Sequence, residues 1–160
     1  MQNINIRKAA KPDIELLIKL RLAYLSEDDV VLTADEENKT VELLRGYYLK
    51  HIGSDDFIAV IAEVDGKTAA AAFLIIYERP VNPKYNPTGK MGLLLNVLTY
   101  PEFRRRGIAT KLLEVLIDEA KKADLSFIEL SATELGRGVY EKLGFKEKTQ
   151  GNYTNMKLNL

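Results

Sequence analysis

Asn96-Val97-Leu98-Thr99-Tyr100-Pro101-Glu102-Phe103-Arg104-Arg105-Arg106-Gly107-Ile108-Ala109-Thr110 is the stretch on which the reading of this chain turns. Its first residues close an apolar run, Met91 to Thr99, which carries Leu93-Leu94-Leu95 and reads as a buried strand. Pro101 breaks that strand, and three arginines and a glycine follow. From Gly107 onward Ile108, Ala109, Leu112, Leu113, Leu116, Ile117 and Ala120 recur on one face of a helix, with Lys111, Glu114, Asp118 and Lys122 on the wet face. The first N–H groups of a helix lack internal acceptors, and the helix dipole adds partial positive charge at the same end. A phosphate on the axis is stabilised by both. Gly107 and Ala109 lack bulk, so phosphate oxygens can approach the backbone. Each desolvated guanidinium nearby adds about 1.5–3 kcal/mol. On charge alone, a solvated arginine triplet before an ordinary helix is the competing reading. A Gly-x4-Gly-Lys-Ser/Thr loop is absent, and Gly136-Arg137-Gly138 lacks the third glycine of a dinucleotide fingerprint, so a plain nucleotide binder is disfavoured.

Downstream, Phe127 to Ser131 reads as a strand and Glu134 to Leu143 as a short helix ended by Gly144. Closing strands are expected from Phe145 onward, where Tyr153 to Leu158 alternate. Upstream, Ile4 and Ile6 alternate with polar residues as a first strand. Lys11-Pro12-Asp13 opens a helix whose apolar face is Ile14, Leu17, Ile18, Leu22 and Leu25. A second helix runs from about Asp35 to His51, stopped by Gly53. Phe57–Val64 and Lys67–Tyr77 form a hairpin about Asp65-Gly66, a pair suited to the positive φ angles of a type I′ turn. Arg79 to Lys90, with Pro80, Pro83, Pro87 and Gly89, is an irregular loop long enough to line a site. This order predicts one α/β domain over residues 1–160, a central mixed sheet flanked by helices. The strands Met91–Thr99 and Phe127–Ser131 should be parallel, joined by a right-handed crossover, with the ligand at their C-terminal ends.

Composition narrows the function. The chain has 160 residues, with 23 Lys plus Arg balanced by 23 Asp plus Glu. No global field draws in nucleic acid or an anionic membrane, so a nucleic-acid role for Arg104–Arg106 is disfavoured and any anion site is local. The absence of cysteine removes disulfides, thiolate metal sites and a cysteine nucleophile; no metal is expected. The longest apolar run, Ala69 to Tyr77, is too short to span a bilayer, and Met1 to Pro12 has no signal-peptide core. The expectation is a cytoplasmic protein.

Arg104-Arg105-Arg106-Gly107-Ile108-Ala109 resembles the Arg/Gln-x-x-Gly-x-Gly/Ala signature of the GNAT superfamily of N-acetyltransferases. Val139-Tyr140-Glu141-Lys142-Leu143-Gly144-Phe145 resembles that family's second signature, a tyrosine on a short helix followed by Gly-Phe. The two together, in this order and at this separation, are highly specific. The resemblance implies that acetyl-CoA lies between the two parallel strands. Its pantetheine arm would pair with the backbone of Val97, Leu98 and Thr99 as an added strand. Its pyrophosphate would sit on the N–H groups from Arg104 through Arg105, Arg106, Gly107, Ile108 and Ala109 to Thr110, with side-chain contact from Arg104 or Arg105. Thr133 stands where the family often has asparagine, and its hydroxyl can bond the pantetheine amide. Gly136 suggests close backbone approach to the cofactor.

The implied reaction is direct attack of an amine on the thioester. The absence of cysteine and the placement of His51, the lone histidine, at a helix end agree with that route. By family analogy the N–H of Leu98 stabilises the developing oxyanion, and Tyr140 protonates the leaving thiolate. Against the acid role stands simple packing of the Tyr140 ring between helix and sheet. Where many members carry a glutamate, this chain has Asn96, which can orient a water or the amine but cannot take a proton. Glu63, Glu78 and Glu134 are the bases left open. The acceptor is a small-molecule or peptide amine. Glu27, Asp28, Asp29, Asp35, Glu36 and Glu37 could select a cationic one, or could simply be solvated. Family habit implies a homodimer. The alternative to an enzyme is a non-catalytic acyl-CoA-binding or regulatory module on the same fold.

Overall fold

The computed structural model describes residues 3–148 and 151–160. Strands β1 (Ile4–Lys8), β2 (Phe57–Val64), β3 (Lys67–Glu78), β4 (Lys90–Thr99) and β5 (Phe127–Glu129) form one sheet in the order β1-β2-β3-β4-β5. All neighbours are antiparallel except β4 and β5, which are parallel as their crossover requires. The helices are α1 (Ile14–Glu27), α2 (Ala34–His51), α3 (Ile108–Lys122) and α4 (Glu134–Lys142). Lys11–Asp13 and Pro101–Phe103 are short 3-10 turns, each with proline in its first turn. The β2–β3 hairpin turns on Asp65 (φ 50°) and Gly66 (φ 79°), the two positive angles that turn chemistry predicts.

The sheet is covered on both faces. On one face Val60, Ala62, Ala72, Leu74 and Leu94 pack against Ile108, Leu112, Leu113 and Leu116 of α3. On the other, Ile61, Ala71, Phe73 and Leu98 meet Ile14, Leu17 and Ile18 of α1 and Tyr48 of α2. Ala69 to Ala72 are fully buried, so the apolar run in β3 is a central strand whose small side chains let helices close from both sides. The expected closing strands do not form among the described residues: 153–160 pair with no strand and are exposed. A strand needs a neighbour's N–H and C=O groups, and the alternation of this segment is not matched by a paired edge here. Residues 149 and 150 lie outside the described part.

Candidate active site

Strand β4 is the element that builds the site. Its register against β3 runs evenly from Glu78↔Lys90 to Phe73↔Leu95, then resumes at Ala71↔Leu98. One extra residue on β4 is therefore accommodated at Asn96–Val97, a β-bulge with Asn96 at φ 55°. Pairing of β4 with β5 has already ended by then; it covers only Met91 to Leu93. Beyond Leu93 that pairing stops, and among the described residues the outer edge of β4 has no partner strand.

Ladder parity decides which groups that edge presents. Tyr100 donates its N–H to the Ala69 carbonyl at 2.9 Å, which makes Tyr100, and with it Leu98, residues that bond toward β3. Val97 and Thr99 point their backbone groups the other way, toward the gap. Of the backbone expected to hold the pantetheine arm, Val97 and Thr99 face the gap, whereas the N–H of Leu98 is turned into the sheet. That orientation is incompatible with the oxyanion role expected of Leu98. The bulge supplies the reason, because one added residue reverses the alternation that a regular strand would keep.

At the end of β4 the chain enters α3 through an unusual backbone. Arg105 has φ 60° and Gly107 has φ 72°. Left-handed residues in such a turn direct successive N–H groups to one side, a concavity that suits anions. No acceptor for the N–H groups of Arg105 through Thr110 exists among the described residues; the first bond of the helix is Lys111 N–H to Gly107 O, at 3.2 Å. A Cβ on Gly107 would meet nothing within 4 Å, so the glycine is required by its φ angle rather than by crowding. The arginines divide the work. Arg104 donates from Nε to the Thr99 carbonyl at 2.9 Å and from Nη2 to Glu27 Oε1 at 2.7 Å, tying α1 to the end of β4. Arg106 bonds the Glu102 carbonyl and lies over the Phe103 ring. Arg105 is exposed, with no side-chain partner among the described residues, so it is the arginine free to meet a bound anion.

Across the gap, α4 is capped by Thr133, whose hydroxyl oxygen accepts the Gly136 N–H at 3.2 Å. Its hydroxyl proton remains available. A Cβ on Gly136 would sit 3.1 Å from Cε2 of Tyr140, so this glycine makes room for the tyrosine ring. Burial pushes the Tyr140 phenol above its ordinary range, and the nearby Tyr24 phenol adds to that. The ring therefore holds its proton at neutral pH.

None of the three carboxylates weighed as bases is placed beside Asn96 by a contact. Glu63 is held by Arg7 and Asn5 in β1. Glu78 sits opposite Lys90, six residues along β4 from the bulge, about 20 Å at strand rise. Glu134 begins α4, exposed. Of the acidic cluster, Glu27 is bonded to Arg104 and Glu36 caps α2 through the Thr33 N–H at 2.8 Å. Among the described residues no group of His, Asp and Glu is arranged to hold a metal ion. His51 ends α2 with Nδ1 2.8 Å from Asp56, while the Ser54 hydroxyl bonds Asp56 and the His51 carbonyl rather than the ring, so no hydroxyl nucleophile is activated there.

The comparisons with known proteins bear on this arrangement. The family model described as "Acetyltransferase (GNAT) family" matches residues 20–145. The chain belongs to the GNAT acetyltransferase family. A predicted acetyltransferase from Clostridium acetobutylicum, solved with acetyl-CoA, is 31% identical over 96% of both chains, with a TM-score of 0.82. A GCN5-related N-acetyltransferase from Ralstonia eutropha is 25% identical, covering 96% of this chain and 99% of its own, with a TM-score of 0.78. Glucosamine-6-phosphate N-acetyltransferase from Arabidopsis thaliana shares the fold at 24% identity and a TM-score of 0.66, with 97% of this chain and 99% of its own covered. GNAT acetyltransferases use acetyl-CoA as co-substrate, and the residues here fit it: an unpaired strand edge for an amide-bearing arm and a run of unbonded N–H groups for a diphosphate. No helix among the described residues is long and apolar enough to cross a membrane.

Two features escape the sequence reading. That Val97 rather than Leu98 turns its N–H toward the gap is one, because parity across a bulge is invisible without the register. Arg21 of α1 reaches the bulge, with Nη1 3.4 Å from Asn96 Oδ1. Its signal was legible: no acid stands three or four residues away on either side, where a helix would supply a counterion.

Proposed function

We propose that this chain transfers the acetyl group of acetyl-CoA directly to a primary amine of a small molecule or peptide. The observation that carries the reading is the run of N–H groups from Arg105 to Thr110 without acceptors, set where the outer edge of β4 becomes free. The co-substrate supplies an acetyl group already activated as a thioester. The chain's part is to hold it and to place charge. Arg105 and the helix N-terminus grip the diphosphate. Val97 and Thr99 offer backbone groups to the arm, and the Val97 N–H takes the oxyanion-stabilising role. Tyr140, kept protonated by burial, donates to the departing sulfur. A reference thiol of pKa about 8.5 is less basic than such a phenolate. The phenol therefore keeps its proton and stabilises the departing thiolate through a hydrogen bond, the nitrogen loses its proton to solvent, and the released thiolate takes one from solvent.

Steady-state release of CoA in the presence of an amine panel, with mass detection of the acetylated amine, tests the reading. Amine-dependent turnover without an acyl-enzyme burst is the expected result. A second reading, a non-catalytic acyl-CoA sensor, draws on one observation: a neutral amide, Asn96, occupies the bulge and no carboxylate contacts it. Tight acetyl-CoA binding with no turnover across the panel would favour the sensor.

A further inference from the structure

Arg21 is the charged group that faces the bulge from the helix layer. It is half-buried, and its only polar partner among the described residues is the Asn96 amide oxygen, at 3.4 Å. The guanidinium also lies over the Tyr24 ring, 5.6 Å from its centroid. Arg7, Arg45, Arg104 and Arg137 all meet carboxylates, but among the described residues no ion pair forms at Arg21. Positions three and four residues either side of it are Leu17, Ile18, Tyr24 and Leu25. Glu27, the nearest acid on the same helix, is committed to Arg104. The chain thus leaves one partly desolvated cation without neutralisation beside its strained strand residue. A buried charge is ordinarily paired, and guanidinium offers a planar fork suited to carboxylate or phosphate.

The surroundings locate this cation within the acceptor side. Asn96 is fully buried, with Nδ2 turned to the Leu20 carbonyl, so α1 and the bulge are in direct contact. Tyr24, one turn beyond Arg21, lies close enough to Tyr140 to raise its proton affinity. Arg21 thus joins the Asn96 amide at the bulge to the Tyr24 ring, on the side of Tyr24 that neighbours Tyr140.

We propose that Arg21 forms an anion subsite for the acceptor, so that the amine acetylated by this chain carries a carboxylate or phosphate close to its amino group. This rests on the acetyltransferase reading above and is the opposite of the cationic acceptor that the acidic residues could have selected, two of which the fold uses for other purposes. A monocationic amine would meet like charge at Arg21, whereas an anionic group beside the amine would neutralise it. A carboxylate would take the fork in a bidentate pair, and a phosphate would take it with more charge.

The test is a set of matched amines at saturating acetyl-CoA. Amino acids are compared with their amides, and glucosamine 6-phosphate with glucosamine. The wild-type protein should favour the anionic member of at least one pair by about ten- to a hundredfold in kcat/KM, through KM; which pair responds separates carboxylate from phosphate. In Arg21→Met that ratio should fall toward one, and in Arg21→Lys it should fall partway. Calorimetric affinity for acetyl-CoA, measured on each variant, reports that the fold and the cofactor site are intact. Preference for the amides or for unphosphorylated sugar in the wild type overturns the subsite. So does a panel in which no anionic amine is acetylated, or equal loss by Arg21→Met on both members of every pair, which would make Arg21 a positioning residue for the bulge. Absence of acetyl-CoA binding to the wild-type protein would instead sink the acetyltransferase reading itself.

Discussion

Helices α2 and α3 begin with the same chemical problem and solve it differently. At the start of α2, Thr33 accepts the Glu36 N–H at 3.3 Å while Glu36 accepts the Thr33 N–H at 2.8 Å, so a reciprocal cap is closed within the chain. At the start of α3 stands Gly107, left-handed, with no side-chain cap and with unbonded N–H groups on both sides of it. α4 follows the first pattern through Thr133. α1 also lacks a side-chain cap but continues directly from the Lys11–Asp13 turn, so α3 differs from the other three α-helices in opening on a left-handed glycine with its first N–H groups unbonded. The difference teaches that a helix N-terminus becomes informative only against the others in its own molecule.

Importing the α2 solution into α3 should break the comparison most severely. Gly107→Asp would place an anion at the same terminus, at the added cost of a side chain in left-handed backbone, and would repel a diphosphate. We expect affinity for acetyl-CoA to fall about a hundredfold or more by calorimetry. Secondary structure should be retained by circular dichroism. Unaltered affinity would show that the bare terminus is not the grip. The α4 cap should separate from its tyrosine in a different way. Tyr140→Phe keeps the ring that Gly136 accommodates and removes only the proton, so kcat should drop about ten- to a hundredfold with little change in acetyl-CoA affinity. Unchanged turnover would return Tyr140 to a packing role.

The conventional cap should respond in stability alone. Thr33→Ala is expected to cost about 1 kcal/mol in denaturant unfolding and to leave co-substrate affinity as it was. The smallest effect concerns the entry to α1, where Asp13 accepts the Ala10 N–H and a paired guanidinium from Arg7. The Arg7 bond, outweighing burial, holds the Asp13 carboxyl below its ordinary range, and Arg7 followed by Asn5 does the same for Glu63. Such groups stabilise the folded chain above their unfolded pKa values, about 3.9 and 4.3. That stability is lost as pH falls through the lower folded values. Thermal melts should therefore weaken below about pH 4. Arg7→Met should flatten that dependence while costing about 0.5–1 kcal/mol at neutral pH, since the network is partly exposed.

Local chemistry made much of this legible beforehand. The Asp65-Gly66 turn, the amphipathic stripe of α3 and the break at Pro101 each follow from one or two residues, and each forms as expected. The strand–turn–helix over residues 96–110 was visible as well, and the unbonded N–H groups of Arg105–Thr110 lie at its turn. What stayed hidden was non-local. The bulge at Asn96 depends on how β4 meets β3, and it moves the outward-facing N–H from Leu98 to Val97. The capture of Arg104 by Glu27 joins residues 77 apart in the chain. The closeness of Gly136 to the Tyr140 ring is likewise a matter of packing that the sequence does not print. The tail from Tyr153 has the alternation of a strand, but alternation alone does not supply a neighbour.

The free edge of β4 has a consequence for the protein between turnovers. From Leu94 to Thr99 the outer edge has no strand beside it among the described residues, and an unsatisfied edge is a template for any extended chain. A bound pantetheine arm would occupy that template as well as deliver an acetyl group. Acetyl-CoA supply would then govern more than rate: a starved population would be stickier and easier to unfold than a loaded one.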